Sequence, residues 1–239
     1  MAIIPYLAMT AAEYECADPL PPRIAWMACH FSPYSTGLSN LPLSLPEGSV
    51  LIVNDITPIH KHEPEMIKQQ LCRCILDHKC SAALLDFQRP ATDALYRLIQ
   101  HLQNALPCPA AVSSTIAKEF TDCPVFLPPC PLHSPLAEYL DQWNGREIWL
   151  EAALEAETIA LTNKGASYSS ANLPDEKERS FEDTILHCHY SMEPGENQIN
   201  FTLWRTWKDL QALLEEADGL GITKSIGLYQ ELRNCIQNG

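Results

Sequence analysis

The feature that most constrains the fold is a repeated alternation of short apolar runs with amphipathic segments. The apolar runs are nearly continuous, which is typical of parallel strands covered on both sides. The segments between them carry apolar residues at helical spacing, as in 63–79 and 91–106. Strand followed by helix, repeated, predicts a parallel sheet with right-handed crossovers. The strands predicted from this repeat are 23–31, 49–55, 81–87, 109–114, 124–129 and 146–153.

The pattern changes after residue 153. Two β-hairpins are predicted there, one turning at 163–165 and the other around 194–196, with a charged loop over 171–183 between them. A helix then precedes a last predicted strand over 224–232. The count of strands reaches eight, as in a barrel. It consists of six strand–helix units, a seventh unit that carries the hairpins and an eighth at the C-terminus. The sequence therefore predicts an α/β fold, a (β/α)8 TIM-type barrel with β-hairpin insertions in its C-terminal third, as a single domain over 1–239.

The main alternative is an open, doubly wound sheet. That fold would place a glycine-rich phosphate loop directly after the first strand. The segment "ACHFSPYSTG", which follows the first predicted strand, has no GxGxxG spacing. The barrel is therefore favoured.

Charge and composition limit the partners. The net charge of −14 disfavours nucleic acids and anionic membrane surfaces, because both need a basic footprint. The N-terminus lacks the basic region of a secretory signal, and no apolar run approaches the ~20 residues of a membrane span. The ten cysteines include no CxxC pair, which indicates reduced thiols. We therefore expect a cytoplasmic protein whose partner is a small-molecule ligand rather than a nucleic acid or a membrane; its oligomeric state is not predicted.

Polar residues mark the ends of several predicted strands. In (β/α)8 enzymes the site lies at these C-terminal ends. On the third predicted strand, Leu84, Asp86 and Gln88 share one face, and on the sixth Trp149 and Glu151 share one. Polar groups buried there without partners would cost about 1–3 kcal/mol each, so we expect them to surround a ligand cavity. The predicted substrate-binding residues are His30, Asp55, Gln88, Arg89, Arg205, Tyr229 and Gln230.

Three carboxyl residues are the predicted catalytic groups: Asp86, Glu151 and Glu231, the last placed on the strand over 224–232. Hydrolysis of a glycosidic bond needs two carboxyl groups across the scissile bond, one as acid and the other as nucleophile or base. These residues meet that requirement in number. The arginines offer planar forks that suit an anionic group of a ligand.

The segment "SAALLDFQ" (81–88) resembles the DxxDxDxE strand of the chitinase-like glycoside hydrolases of family 18. The matching positions are Ser81, Leu84, Asp86 and Gln88. The resemblance implies a carbohydrate-handling barrel and places the general acid of the family at Gln88, where an amide cannot donate a catalytic proton. The acid would then come from Glu151, Glu231 or Asp55.

Other interpretations stay open. Gln88 in place of an acid also fits a non-catalytic barrel that binds a sugar or a small anionic ligand. A metal-dependent hydrolase would use His187, His189 and Asp55, but two ligands on one strand do not complete a site, so no metal and no cofactor are predicted. Ion pairs of Asp86 with Arg89, or of Glu231 with Arg205, would make the same residues purely structural.

Overall fold

The computed structural model describes residues 3–59, 62–90, 92–174, 180–195 and 197–237. These residues form fourteen strands in two sheets. In chain order the strands are β1 (Tyr6–Met9), β2 (Ile24–Phe31), β3 (Leu38–Ser39), β4 (Val50–Asn54), β5 (Ala82–Asp86), β6 (Ala110–Ser113), β7 (Val125–Leu127), β8 (Ile148–Ala152), β9 (Ala156–Thr162), β10 (Gly165–Ser170), β11 (Phe181–Asp183), β12 (Cys188–Pro194), β13 (Gln198–Trp204) and β14 (Lys224–Leu228).

Eight parallel strands close into a barrel. Their order is β1-β2-β4-β5-β6-β7-β8-β14, and β14 pairs with β1 to complete the circle. The short strand β3 joins β2 antiparallel, outside the barrel. The predicted α/β barrel is thereby confirmed.

Six α-helices of 5 to 15 residues lie in the described part of the chain. They are α1 (Ala11–Cys16), α2 (Pro64–His78), α3 (Asp93–Gln103), α4 (Leu136–Leu140), α5 (Trp207–Gly219) and α6 (Tyr229–Gln237). Local sequence explains where several of them begin. Thr10 and Glu13 form a capping box at α1, Pro64 occupies the first turn of α2, and the Thr92 side chain caps α3. A single 3-10 turn replaces a helix between β6 and β7.

One strand of the barrel differs from the prediction. The sequence pattern assigned the seventh barrel strand to the hairpin region. The strand that completes the barrel is instead β1, at the N-terminal end of the described chain. β1 spans only Tyr6–Met9 and was not among the predicted strands. The hairpin strands instead form a separate antiparallel sheet of five strands, in the order β10-β9-β13-β12-β11. Parts of the predicted loop over 171–183 and of the turn around 194–196, residues 175–179 and 196, lie outside the described residues.

Alternate residues of the barrel strands fill its interior. The packing combines small alanines with two large rings, so that side chains from opposite strands meet without a central channel. Because side chains alternate, the residues two positions further along three strands point toward the barrel mouth: Asn54 after Ile52, Asp86 after Leu84, and Glu151 after Trp149. The buried interior cluster consists of Ala8, Ala25, Val50, Ile52, Ala82, Leu84, Ala111, Phe126, Trp149 and Ile226.

The antiparallel sheet is inserted between β8 and α5, at the C-terminal end of a barrel strand. Its base packs on the barrel where Cys188 and Leu203 contact Leu132. Arg205 is 1% exposed and donates hydrogen bonds to the main-chain carbonyls of His187, Cys130 and Leu186, which ties the sheet to the β7–α4 connection. The insertion is therefore held over one side of the barrel mouth.

None of the ten cysteines forms a disulfide, and all ten lie in the described part of the chain. Burial raises the pKa of the Cys74 and Cys188 thiols to about 12, so these side chains act as small apolar residues. In the described ranges, no helix is long and apolar enough to cross a membrane.

Candidate active site at the barrel mouth

A cavity of about 520 Å³ opens at the C-terminal ends of the barrel strands. This volume lies in the range of pockets that hold small ligands. Most of its wall is apolar and comes from the same strands that fill the barrel, with Met27 and Phe126 as its largest members. The polar residues that line it are Asn54, Asp55, Asp86, Gln88, Arg89 and Glu151.

Asp86 and Gln88 lie on the face predicted from strand periodicity. Leu84, Asp86 and Gln88 all line the cavity, and the Gln88 amide donates a hydrogen bond to Asp86 Oδ1. Burial raises the pKa of Asp86, and the nearby charge of Asp55 acts in the same direction, whereas the bond from Gln88 lowers it. Gln88 thus favours the carboxylate form of Asp86.

Asp55 and Arg89 form a clamp between two loops. The buried Asp55 carboxylate accepts hydrogen bonds from the backbone N–H groups of Gln88 and Arg89, at 3.0 and 2.8 Å. In return, the Arg89 side chain donates to the main-chain oxygens of Asp55 and Ile56, at 2.7 and 2.8 Å. The clamp fixes the loop after β5 against the loop after β4, and Arg89 binds these carbonyl groups rather than Asp86.

Glu151 is the carboxyl group whose ionisation is most altered. Burial, followed by the charges of Asp86, Glu155 and Glu231, raises its pKa to about 7. A carboxyl group with this pKa is about half protonated at neutral pH, which suits a general acid or base. Burial raises the pKa of both Asp86 and Glu151, but the hydrogen bond from Gln88 opposes the rise only at Asp86, and Glu151 is the group that readily carries a proton.

Glu231 and Glu155 lie close enough to Glu151 for their charges to act on it, but they are not among the described residues that line this cavity. Glu231 Oε1 accepts a hydrogen bond from Leu154 N at 3.2 Å. Burial raises the pKa of both carboxyl groups; the Leu154 N–H partly offsets this at Glu231, and the charge of Arg205 does so at Glu155. The alternative interpretation paired Glu231 with Arg205. In the structure Glu231 instead accepts a hydrogen bond from Leu154 N, and Arg205 donates to main-chain oxygens.

Four residues predicted to bind substrate lie elsewhere. Tyr229, Gln230 and the catalytic candidate Glu231 were placed on a strand, but β14 ends at Leu228 and they form the first turn of α6. Tyr229 is buried under Arg233, and Gln230 is exposed on the helix. His30 is the last residue but one of β2 and lies beside Asn54, with Nδ1 3.0 Å from the Ala28 oxygen, and it is not among the described lining residues.

Arg205 is the fourth. The sequence places it in the hairpin that returns to the barrel, which suggested an arginine reaching into the mouth. Its guanidinium is instead buried in the joint between the inserted sheet and the barrel, where it donates hydrogen bonds to three main-chain oxygens. A sequence pattern does not separate these two environments, because both place an arginine at the end of a strand.

The histidines of the metal hypothesis face a helix. His187 precedes β12 with a positive φ of 48°, so it does not share a strand face with His189. Their rings pair with Glu216 and Asp209 of α5, at 2.6 and 2.9 Å. Asp55 is held by backbone N–H groups in the loop clamp, and among the described residues no group of three or more ligating side chains could hold a metal ion.

The apolar half of the site was not predicted from the sequence. Met27 and Phe126 line the cavity because they continue the inward faces of β2 and β7, after Ala25 in the first case. Period two would have placed Phe126 inside the barrel. The same rule fails toward the end of β2, because the register of β2 against β4 shifts between Trp26 and Cys29.

Fold and cavity together define a (β/α)8 barrel with a carboxyl-containing pocket at the C-terminal strand ends. Solved structures with this fold include the spore cortex-lytic enzyme SleL of Bacillus cereus, which matches over 99% of this chain and 74% of that chain, with a TM-score of 0.54 and 11% sequence identity. A chitinase from Chromobacterium violaceum ATCC 12472 matches over 95% of this chain and 94% of that chain, with a TM-score of 0.53 and 9% identity. No protein-family model matches the sequence, and no curated protein is significantly similar to it.

Proposed function

We propose that this chain hydrolyses a glycosidic bond in the mouth cavity, with Glu151 as the proton donor and Asp86 as the charged carboxylate. The observation that carries the proposal is the raised pKa of Glu151, about 7, in a cavity that it shares with Asp86. Glycoside hydrolysis requires two carboxyl groups with different protonation states, and their environments separate these two.

The proposed reaction divides the work among the lining residues. Protonated Glu151 transfers its proton to the leaving-group oxygen as the glycosidic C–O bond breaks, while the Asp86 carboxylate stabilises the positive charge that develops on the sugar ring. A water molecule then bonds to the anomeric carbon and gives its proton to the Glu151 carboxylate, which restores the acid. Gln88 holds Asp86 in place through their hydrogen bond, which also offsets part of the rise in the pKa of Asp86 that burial causes. The apolar wall at Met27 and Phe126 faces the C–H groups of the sugar.

Two further observations support a glycan as the substrate. The segment 81–88 resembles the catalytic strand of the chitinase-like family 18 hydrolases, with Asp86 at a conserved acidic position of that motif. The fold is also shared with proteins described as a spore cortex-lytic enzyme and a chitinase. Because a shared fold does not fix a function, these likenesses serve to choose the substrates for a test.

The test compares variants that change one carboxyl group to an amide of the same shape. Glu151→Gln removes the proton donor, and we expect the rate of chitohexaose cleavage to fall by about 10²–10⁴-fold while its dissociation constant changes little. Glu138→Gln, on the exposed side of α4, is the matched control and should keep the wild-type rate. A Glu151→Gln variant that cleaves as fast as the wild type would overturn the assignment.

A non-catalytic barrel that binds a sugar is the second candidate. It is favoured by Gln88, which occupies the acid position of the family motif and bonds to Asp86 instead of donating a proton. In that case the wild type binds chitohexaose without cleaving it, and Glu151→Gln changes only the affinity. The same assay therefore separates the two functions.

A further inference from the structure

The inserted antiparallel sheet has one apolar face and one polar face. Residues that pair directly across neighbouring strands lie on the same face, so the register of the five strands defines both. The apolar sheet face consists of Phe181, Tyr190, Met192, Phe201, Ile159, Tyr168, Pro194, Ile199, Leu161 and Ala166. The opposite face carries hydroxyl, amide and carboxylate groups with one alanine, from Ser191, Thr202, Thr158, Ser169, Glu193, Asn200, Ala160 and Ser167.

Most of the apolar sheet face is open to solvent. Its exposed members are Phe181 at 59%, Tyr168 at 55%, Met192 at 51%, Leu161 at 41% and Ile199 at 41%. The part nearest the barrel is covered, because Cys188 and Leu203 pack there on Leu132. An antiparallel sheet turns its apolar face toward a core, and a contiguous exposed apolar surface marks an interaction site. Within the described residues, this face therefore lacks the layer that would cover it.

The apolar sheet face carries no charged side chain, although the chain has a net charge of −14. Glu193 lies between Met192 and Pro194 on β12, but its side chain belongs to the opposite face. Glu157 adjoins the face beside Leu203, and His133 opposes its charge at 2.8 Å. An acidic chain can approach a second copy only where like charges stay apart, and an uncharged face attracts no oppositely charged partner. The charge distribution therefore favours self-association.

The size of the face suits a weak dimer. It spans five strands and three rows of paired residues, roughly 20 Å in each direction, which gives a flat area of roughly 400 Å². Side-chain relief adds to this area, so two copies would bury roughly 1,000 Å² in total, at the lower limit for a specific interface. A contact of this size is sufficient for a dimer that forms at micromolar concentration.

We propose that the apolar sheet face binds the same face of a second copy of this chain, so that two five-stranded sheets pack into one sandwich. A two-fold axis lets every residue of the face serve both copies, and sheets packed in this way lie about 10 Å apart. The net charge of −14 opposes the association, so the dimer should become more stable as salt screens that charge. This assembly does not depend on the reaction at the barrel mouth.

The test is sedimentation equilibrium of the whole chain at low and high salt. We expect a monomer–dimer equilibrium with a dissociation constant on the order of 10 µM, which falls about threefold or more between about 0.05 and 0.5 M sodium chloride. A wild type that stays monomeric up to about 300 µM overturns the proposal. Association that weakens at high salt also overturns it, because the contact would then be made by opposite charges.

Two variants locate the contact. Ile199→Glu places a carboxylate inside the apolar sheet face, beside Leu161, and we expect the dissociation constant to rise about 30-fold or more. Gln198→Glu is the matched control, because it adds the same charge at the next residue of β13, on the opposite face, and should change the constant less than about twofold. Both side chains are exposed, and far-UV circular dichroism checks that both variants fold.

The pattern across the two variants decides the outcome. A dimer that Ile199→Glu dissociates and Gln198→Glu leaves intact supports the sandwich. A dimer that survives Ile199→Glu overturns it, since another surface would then hold the two copies together. Equal weakening by both variants also overturns it, because the effect would then belong to the net charge of the chain rather than to the apolar sheet face.

Discussion

Glu151 is the residue on which the chemistry of the mouth depends most. Its carboxyl group continues the inward face of β8, one step beyond Trp149, into a cavity that already holds Asp86. Burial and the neighbouring carboxyl groups make its ionised form unfavourable, and the same cause has consequences for activity and for stability.

The first prediction concerns the pH dependence of activity. Because the proton on Glu151 is lost above a pKa of about 7, kcat/KM for chitohexaose should fall as the pH rises through that value. Glu231→Gln removes one of the charges that raise this pKa, so the descending limb should move to lower pH while turnover continues. The measurement is kcat/KM against pH for both proteins. An unchanged limb in Glu231→Gln would show that Glu231 does not influence the acid.

The second prediction concerns stability. The pKa of Glu151 is raised from 4.5 to about 7, so between these values the native state holds a proton that the unfolded chain has lost. Stability therefore falls as the pH rises through this window, and Glu151→Gln should increase the free energy of unfolding at pH 8 by about 1–3 kcal/mol and leave it unchanged at pH 4. Urea unfolding at both pH values measures the difference; a gain of the same size at pH 4 would contradict the explanation.

At the scale of elements, the joint between the barrel and the inserted sheet depends on Arg205. Its guanidinium is buried and satisfies three main-chain carbonyl groups. Arg205→Met leaves these oxygens without donors, and we expect the free energy of unfolding to drop by about 2–4 kcal/mol. The control is Arg73→Met on the exposed side of α2, with an expected change within about 0.5 kcal/mol. Equal losses in both variants would rule out the anchoring role.

Close packing of β14 against β8 provides a second test at this scale. An ideal Cβ at Gly227 would lie 2.5 Å from the Ala152 oxygen and would also overlap the Leu232 side chain. Gly227→Ala should destabilise the protein by about 1–3 kcal/mol. At Gly219 a Cβ meets nothing within 4 Å, so Gly219→Ala should be neutral or stabilising by up to about 1 kcal/mol. Thermal unfolding compares the two; a neutral Gly227→Ala would mean that the two strands can move apart.

Element boundaries also show where reading the sequence stops being sufficient. The strands that carry Asp86 and Glu151 were predictable because their apolar runs are continuous and their inward faces follow period two. The start of α6 was not, since no glycine or proline separates β14 from the helix and "GLYQEL" continues the apolar pattern of the strand. The packing of α6 on the barrel decides that boundary, and local propensity does not report it.

For the whole molecule, the barrel count was predictable while the assignment of its strands was not. Eight parallel strands were expected, but β1 was overlooked and a hairpin region took its place in the count. A second cavity, which lies between the inserted sheet and the β7–α4 connection, was beyond prediction for a related reason: it forms between Tyr168 and His133, which lie far apart in the chain and meet only through the inserted sheet. Contacts of this kind depend on tertiary packing rather than on local pattern.

The central claim is that the mouth of this barrel breaks a glycosidic bond by using Glu151. The most direct measurement is mass spectrometry of the products after chitohexaose is incubated with the protein in water enriched in heavy oxygen. With the wild type we expect shorter oligosaccharides whose new reducing ends carry the heavy isotope, and with Glu151→Gln we expect intact chitohexaose. Intact chitohexaose in both samples, with binding retained, would contradict it and would leave a sugar-binding barrel.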